Sequence, residues 1–208
     1  MTYKDNKPSK LFKAKEGYDK YASFYDKKSD FLDGFEKGIL QKIIGDIQGK
    51  QVLDIGCGTG RCIKNLIDKG SFVTGCDISL EMLKIARKKF HNVNFVEGDI
   101  ENLPFKDNSF DVVVASFVIV HLKNLQKAFD EVYRVLKTGG IFVLTNINQK
   151  KAPKLVTESR EKIVIISYYH IPEHVISALK DSFFGIESDE FIYENGIWIN
   201  QVVKAIKR

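Results

Sequence analysis

Cysteine is scarce in this chain: three residues, Cys57, Cys62 and Cys76, among 208. Three thiols do not make a disulfide framework, and no two of them have the paired spacing of a zinc site. A reducing cytosol is the compartment expected from that usage. Long apolar runs are also missing. None approaches the ~18 residues of a membrane span, and the polar, Lys-rich N-terminus lacks the apolar stretch of a secretory signal. Arginine is sparse: it supplies 5 of the 32 basic residues (Arg61, Arg87, Arg134, Arg160 and Arg208), leaving 27 Lys. The net charge of +5 is therefore carried by hydrated point charges, which lack the planar fork of Arg. The lysines are spread along the chain and do not form the Arg and aromatic stripe of a nucleic-acid surface. They read as solvated faces, which argues against nucleic acid as a partner. What is present is ordinary for a globular protein, with 44% hydrophobic and 28% charged residues. The length fits one domain with one sizeable core.

The stretch Val52-Leu53-Asp54-Ile55-Gly56-Cys57-Gly58-Thr59-Gly60 organises the rest. A short buried strand runs into a loop with glycine at every second position. A helical pattern follows over Arg61 to Lys69, with Cys62, Ile63, Leu66 and Ile67 on one face. Glycines let the backbone turn tightly and let a ligand lie against bare amides. A helix N-terminus adds unpaired N–H groups and a positive dipole end for a carboxylate or phosphate. The dinucleotide fingerprint G-x-G-x-x-G would need a third glycine at position 61, where Arg61 stands. The loop reads G-x-G-x-G instead, with Asp54 two positions before the first glycine. The bland alternative is a glycine loop that only turns the chain.

Taken in order, residues 1–16 are polar and Lys-rich and are expected to be a mobile N-terminal arm, leaving 17–208 as a single domain. Tyr18, Tyr21 and Tyr25 fall at helical spacing and put three phenols on one face, either packing on the domain or roofing a ligand. Phe31 to Ile47 reads as one amphipathic helix ended by Gln48-Gly49-Lys50. Phe72 to Cys76 is a second buried strand with Asp77 at its end, 21 residues after Gly56. An acid there can accept hydrogen bonds from the vicinal hydroxyls of a ribose. Ser79 reads as the N-cap of a helix that buries Leu83, Ala86 and Phe90. Val93 to Val96 is a third strand, and Phe110 to Ala115 a fourth, continuously apolar after Asp111 as a doubly covered parallel strand should be. Leu125, Ala128, Phe129, Val132 and Leu136 form a helical face that Lys137-Thr138-Gly139-Gly140 is expected to stop before a fifth strand, Ile141 to Thr145. Asn146 to Ser159 reads as an exposed connection, and Lys162 to Ser167 as a short strand. A helix from Pro172, ended by Gly185, precedes two strands, Ile186 to Tyr193 and Ile197 to Ile206. Asn195-Gly196 between them is a strong hairpin signal, and it makes the last two strands antiparallel.

The Asp54-to-Gly60 loop resembles motif I of the class I S-adenosylmethionine-dependent methyltransferases. Tyr18 to Asp26 is similar to their Y-D-x-x-A-x-x-Y-D segment, and Arg134 to Gly140 to their R-V-L-K-P-G-G run, with Thr138 in place of the proline. The resemblance extends over roughly Tyr18 to Ile206. Within the family it points to small-molecule enzymes of the methyltransferase type 11 and ubiquinone–menaquinone methyltransferase-like group. It implies an α/β fold: a Rossmann-like three-layer αβα sandwich with a mostly parallel seven-stranded sheet and an antiparallel C-terminal hairpin strand. It implies S-adenosylmethionine as cofactor, held by Asp54, Gly56, Cys57 and Gly58 of the loop. Asp77 would take the ribose, Ile78 and Met82 would lie by the adenine, and Asp99 and the Ile100 N–H would read the adenine edge. Tyr18, Tyr25 and Ser116 would complete the set. A Met on a helix is otherwise a core residue.

The activity implied is transfer of the sulfonium methyl to an O, N or C nucleophile of a small molecule. His121, after strand four, is the candidate catalytic base, against the alternative of a structural histidine; His170 is the second candidate, and His91 and His174 read as surface positions. Absences narrow the acceptor. Ala115-Ser116-Phe117-Val118 does not resemble the [N/D]-P-P-[Y/F] motif of adenine or glutamine amino-methylating enzymes, and no Pro-Cys pair is present for cytosine chemistry. Ala115 and Ser116 do not suit Mg²⁺, so no metal is expected. The rivals are an RNA or protein methyltransferase, a nicotinamide oxidoreductase, and a binding protein without catalysis. A monomer or homodimer is expected. The acceptor's identity, the base and the pathway are not written in the residues.

Overall fold

The computed structural model describes residues 9–208. In chain order they form β1 (Lys10–Phe12), α1 (Ala14–Tyr25), α2 (Ser29–Glu36), α3 (Ile39–Ile44), β2 (Gln51–Ile55), α4 (Ile63–Asp68), β3 (Phe72–Asp77), α5 (Leu80–Lys89), β4 (Asn94–Glu97) and β5 (Phe110–Ala115). There follow α6 (Gln126–Val135), β6 (Leu136–Ile147), β7 (Lys154–Val156), β8 (Lys162–Ile165), α7 (Pro172–Asp181), β9 (Phe184–Glu194) and β10 (Ile197–Lys207). Short 3₁₀ turns lie at Asp26–Lys28 and Ile119–His121.

The main sheet has seven strands in the order β4-β3-β2-β5-β6-β10-β9. β2 pairs in parallel with β3 and β5, β3 with β4, and β5 with β6. β10 is antiparallel to both of its neighbours. It returns from β9 through Asn195 (φ 50) and Gly196 (φ 77), the left-handed pair of a two-residue hairpin turn. This is the seven-stranded, mostly parallel sheet implied by the resemblance, and its antiparallel C-terminal strand is the one expected from the hairpin signal. The order in which strands are added switches side between the parallel neighbours β2 and β5, which makes the carboxyl ends of these strands the natural place for a ligand.

The pleat divides the core. Leu53, Val113, Ala115, Phe142 and Leu144 face α6 and α7, where Phe129, Val132 and Leu179 are fully buried. Val52, Val112, Val114 and Val143 face the other way, onto Leu40, Ile43 and Ile44 of α3 and Leu66 of α4. Each such aliphatic or aromatic side chain contributes about 1.5–3 kcal/mol when fully removed from water.

Several elements differ from expectation for local reasons. The helix expected over Phe31 to Ile47 is two helices, because Lys37 (φ 45) and Gly38 (φ 73) turn left-handed between α2 and α3. The helix after the glycine loop starts at Ile63, not Arg61, and Ile67 lies 39% exposed rather than on its buried face. The run Lys137 to Gly140 does not stop a helix. Leu136 is already paired with Phe110, and the next pair on that ladder is Ile141 with Val112, so the run bulges out of β6. Gly185 does not end α7; Phe183 takes the left-handed conformation there (φ 65), and Gly185 lies within β9.

Residues 1–8 of the expected arm lie outside the described residues. Residues 10–12 are a strand, parallel to β8, in a second sheet of order β1-β8-β7. Asn146 to Ser159, read as an exposed connection, holds the end of β6 and all of β7, with Leu155 buried. The small sheet packs on α1: Tyr21, Leu155, Ile163 and Ile165 share a core with Phe12, Tyr18, Phe24 and Tyr25. Gly17 permits the approach, since a Cβ there would stand 2.6 Å from Ile165 Cγ1. Together α1 and this sheet roof the carboxyl end of the main sheet.

Candidate active site

Under that roof lie two adjoining cavities. The first, of about 510 Å³, runs along the carboxyl ends of β2, β3, β4 and β5. The second, of about 360 Å³, lies between α1, α2, the segment after β6 and the small sheet. Tyr18, Tyr25, Phe117 and His121 line both.

The floor of the first cavity is the glycine loop. Gly56 (φ 63) and Gly58 (φ 54) are both left-handed. A Cβ on Gly56 would come 2.4 Å from Val118 Cγ2, so only glycine passes there. The loop is tied to β3 by Cys57 N–H donating to the Cys76 carbonyl (3.1 Å) and by Gly58 N–H donating to Asp77 Oδ2 (2.8 Å). Asp77 Oδ1 accepts from Ser79 N–H at 2.8 Å. Each of these carboxylate oxygens keeps a second lone pair, and Asp77 lies on the cavity wall. Burial pushes its carboxyl up to about 6, against the pull of the Ser79 and Gly58 amides. Ser79 accepts from Met82 N–H as the cap of α5 and donates to Asp19 of α1.

Ten of the twelve expected cofactor residues line this cavity: Tyr18, Tyr25, Gly56, Gly58, Asp77, Ile78, Met82, Asp99, Ile100 and Ser116. Two do not. Cys57 points away, into a cluster with Ile63, Leu83, Ala86 and Phe95. Asp54 lies beneath the loop, 2% exposed, with Oδ2 lacking a partner among the described residues. Burial pushes the Asp54 carboxyl up to about 7 although Arg61 draws it down. Ser116 lines the cavity but its hydroxyl is engaged: it donates to Glu36 and accepts from Arg61 Nη2 at 2.6 Å. Asp99 Oδ1 accepts from Glu101 N–H at 2.9 Å.

Arg61 shows what sequence reasoning missed. It stands where a dinucleotide loop needs glycine, and it forks onto Glu36 with Nη1–Oε2 at 2.8 Å and Nη2–Oε1 at 3.0 Å. Its Nη1 also reaches Asp33 at 2.8 Å, and its guanidinium lies 5.1 Å from the Phe117 ring centre. Glu36 is 1% exposed, so this is a buried pair that bolts α2 to the glycine loop. Lys15 and Asp19 had no role assigned from sequence, although Asp19 is the first acid of the Tyr18 to Asp26 segment. Lys15 donates to the Ile78 carbonyl (3.0 Å) and to Glu97 (2.8 Å), and Asp19 accepts from Ser79, so α1 is fastened across the rim beside Asp77.

His121 lies where the cavities meet. Its Nδ1 is 3.0 Å from the Ile166 carbonyl and its Nε2 is 2.8 Å from the Tyr18 hydroxyl. A carbonyl can only accept, so Nδ1 carries the hydrogen and Nε2 the lone pair. Burial lowers its pKa against the pull of the Ile166 carbonyl, which favours the neutral ring. His170, the second candidate, lines neither cavity. Its Nε2–H is shared between the Ile119 (3.1 Å) and Leu122 (2.9 Å) carbonyls, so it pins the turn that carries His121. Among the described residues no group of three or more His, Cys, Asp or Glu side chains gathers as a metal site, and no helix is long and apolar enough to cross a membrane.

Comparison with known proteins agrees with this geometry. A family model described as a methyltransferase domain matches residues 53–144. An uncharacterized protein of Methanocaldococcus jannaschii is 47% identical over 136 residues, covering 64% of this chain and 51% of that protein. A demethylmenaquinone methyltransferase of Paenarthrobacter aurescens is 35% identical over 140 residues, covering 65% and 55%. The chain thus spans about half the length of these relatives. An S-adenosylmethionine-dependent methyltransferase structure from Mesorhizobium loti superposes with a TM-score of 0.72 at 20% identity, over 84% of this chain and 99% of that one. The glycine loop with its acid before it, the acid closing β3 and the single antiparallel strand of the sheet all agree with these matches: residues 53–144 are a methyltransferase domain of the type 11 family, and the sheet around them has the fold of S-adenosylmethionine-dependent methyltransferase structures.

Proposed function

We propose that this protein methylates an O, N or C nucleophile of a small molecule, without a metal, using His121 as the proton acceptor. The observation that carries the reading is the junction of the two cavities at Tyr18, Tyr25, Phe117 and His121. The first cavity fits S-adenosylmethionine: Gly56 leaves bare backbone against it, and Asp77 retains lone pairs on its wall for ribose hydroxyls. When bound, the cofactor supplies an electrophilic methyl carbon whose bonding pair leaves with sulfur. The chain's own work is then alignment and exclusion of water, and positioning of this kind can supply about 7–11 kcal/mol. In this reading Asp77 orients the ribose, Ile78 and Met82 flank the adenine, Asp99 and the Ile100 N–H take its edge, and Tyr18 and Tyr25 close the roof. Asp54 and Cys57 support the loop from behind.

The second cavity is sized for a small molecule, and its walls are mainly apolar and aromatic. An RNA or protein acceptor would need a recognition surface outside it. The residues closing β5, Ala115 and Ser116, offer no free carboxylate for a cation. Three free, buried cysteines suit a reducing cytosol.

Calorimetric titration with S-adenosylmethionine, S-adenosylhomocysteine and NAD tests the first cavity. Binding of the first two and not of NAD is expected, and binding of NAD alone would overturn the reading. His121→Ala should keep cofactor affinity and slow turnover by about 10²–10⁴. Turnover at the wild-type rate would remove His121 from the chemistry.

A further inference from the structure

We propose that Tyr18 is the residue that touches the methyl acceptor, that it passes the acceptor's proton to His121, and that the acceptor is therefore an enol or a phenol. The proposal rests on the reading of the second cavity as the acceptor site.

The tautomer decides the direction of the hydrogen bond. His121 Nδ1–H donates to the Ile166 carbonyl, so Nε2 is the acceptor and the Tyr18 hydroxyl, 2.8 Å away, is the donor. The single lone pair of the imidazole is thus already covered by Tyr18. An acceptor in the cavity meets the phenol oxygen, which has lone pairs to spare, and not the imidazole. The two rings are held edge to face with centroids 5.2 Å apart, and α1, which carries Tyr18, is fastened by Lys15 and Asp19.

The relay balances. The acceptor O–H breaks and its proton joins the Tyr18 oxygen. The Tyr18 proton moves to His121 Nε2, leaving neutral tyrosine and an imidazolium that returns its proton to water. The freed oxygen pair makes the bond to the methyl carbon. A carboxylate or an amine with a free pair needs no such relay. An alkanol is too weak an acid to give its proton to a phenol oxygen. Matched acidity selects an enol or phenol. The cavity agrees: Tyr21, Phe35, Phe117 and Leu155 suit a flat unsaturated body, Lys150 and Lys151 favour the developing anion, and no carboxylate lies among its described lining residues.

The probe is 4-nitrophenol, whose ionised form absorbs differently from the neutral one, added to protein saturated with S-adenosylhomocysteine. The groups acting on the dyad are Tyr21 and Tyr25 of α1, Asp77 closing β3, and the Ile166 carbonyl after β8, with Lys150 and Lys151 on the cavity wall. Wild-type protein should hold the bound probe at a phenolate-to-phenol ratio about tenfold above that in free solution at the same pH. Tyr18→Phe and His121→Gln should each lose that excess. No binding of the probe, or no excess in wild type, overturns the proposal. An undiminished excess in Tyr18→Phe also overturns it, because His121 would then act directly. Failure of S-adenosylhomocysteine itself to bind would overturn the methyltransferase reading beneath it.

Discussion

The floor and the roof of the site are built by different means. The floor is contiguous in sequence and close-packed: β2, the glycine loop and the end of β3 lie within Gln51–Asp77, and their apolar side chains are almost wholly buried. The roof is assembled from pieces more than a hundred residues apart, with Phe12 paired to Ile165 and Tyr18 bonded to His121. It is held to the floor by a few polar contacts near solvent, such as the Lys15–Glu97 pair, whose side chains are 43% and 44% exposed. A rigid floor can pre-shape the cofactor cradle, while a lightly fastened roof can open for entry and release.

That contrast ranks the effects of substitution. Gly56→Ala should hurt most. It forces a left-handed alanine, costing about 1–2 kcal/mol, and drives a methyl group into Val118, costing about as much again. S-adenosylmethionine affinity should fall about 100-fold by calorimetry, and a loss below about fivefold would mean that the floor yields. Asp77→Ala should cost about 1.5–3 kcal/mol of binding, the value of a charge-assisted hydrogen bond. Unchanged affinity would remove the ribose assignment.

Asp54→Asn probes the floor through pH. The Asp54 carboxyl sits near 7 when folded and 3.8 ordinarily, so the folded state holds its proton longer. Its contribution to stability is greatest below about 3.8 and is lost as pH rises through about 7. Asparagine removes that loss. The stability of the variant relative to wild type, by urea unfolding without cofactor, should therefore rise by about 1–2 kcal/mol between pH 5 and 7. A difference that does not change with pH would show that Asp54 is not ionising beneath the loop. Lys15→Ala should do least: under about 1 kcal/mol of cofactor binding, shrinking further in high salt. A loss as large as that of Asp77→Ala would erase the distinction between floor and roof.

Legibility followed the same divide. The strands, the loop, Asp77, the Ser79 cap and the Asn195-Gly196 hairpin were readable because each is a short-range signal: an apolar run, a spacing or a turn pair. Most errors were also local. Lys137 to Gly140 looks like a helix stop because glycines end helices, but Leu136 had already found a strand partner in Phe110. Arg61 was visible only as a glycine that was absent. Its partner Glu36 lies 25 residues away on α2, across a break at Lys37 and Gly38 that the periodicity did not reveal. His121 was placed ahead of His170 only by its position after strand four; what separates them in the structure is which partners each ring faces.

The residues alone determined the chain order of the seven main-sheet strands, the cradle loop and the antiparallel end of the sheet. Those features depend on backbone conformations and periodicities that neighbouring side chains impose. Only the tertiary structure decided which acids face the cavity, that Asp54 and Cys57 lie behind its wall, and that Tyr18 covers the lone pair of His121. Such facts depend on contacts between distant segments. A chain makes those contacts only after the burial of its core has brought the segments together.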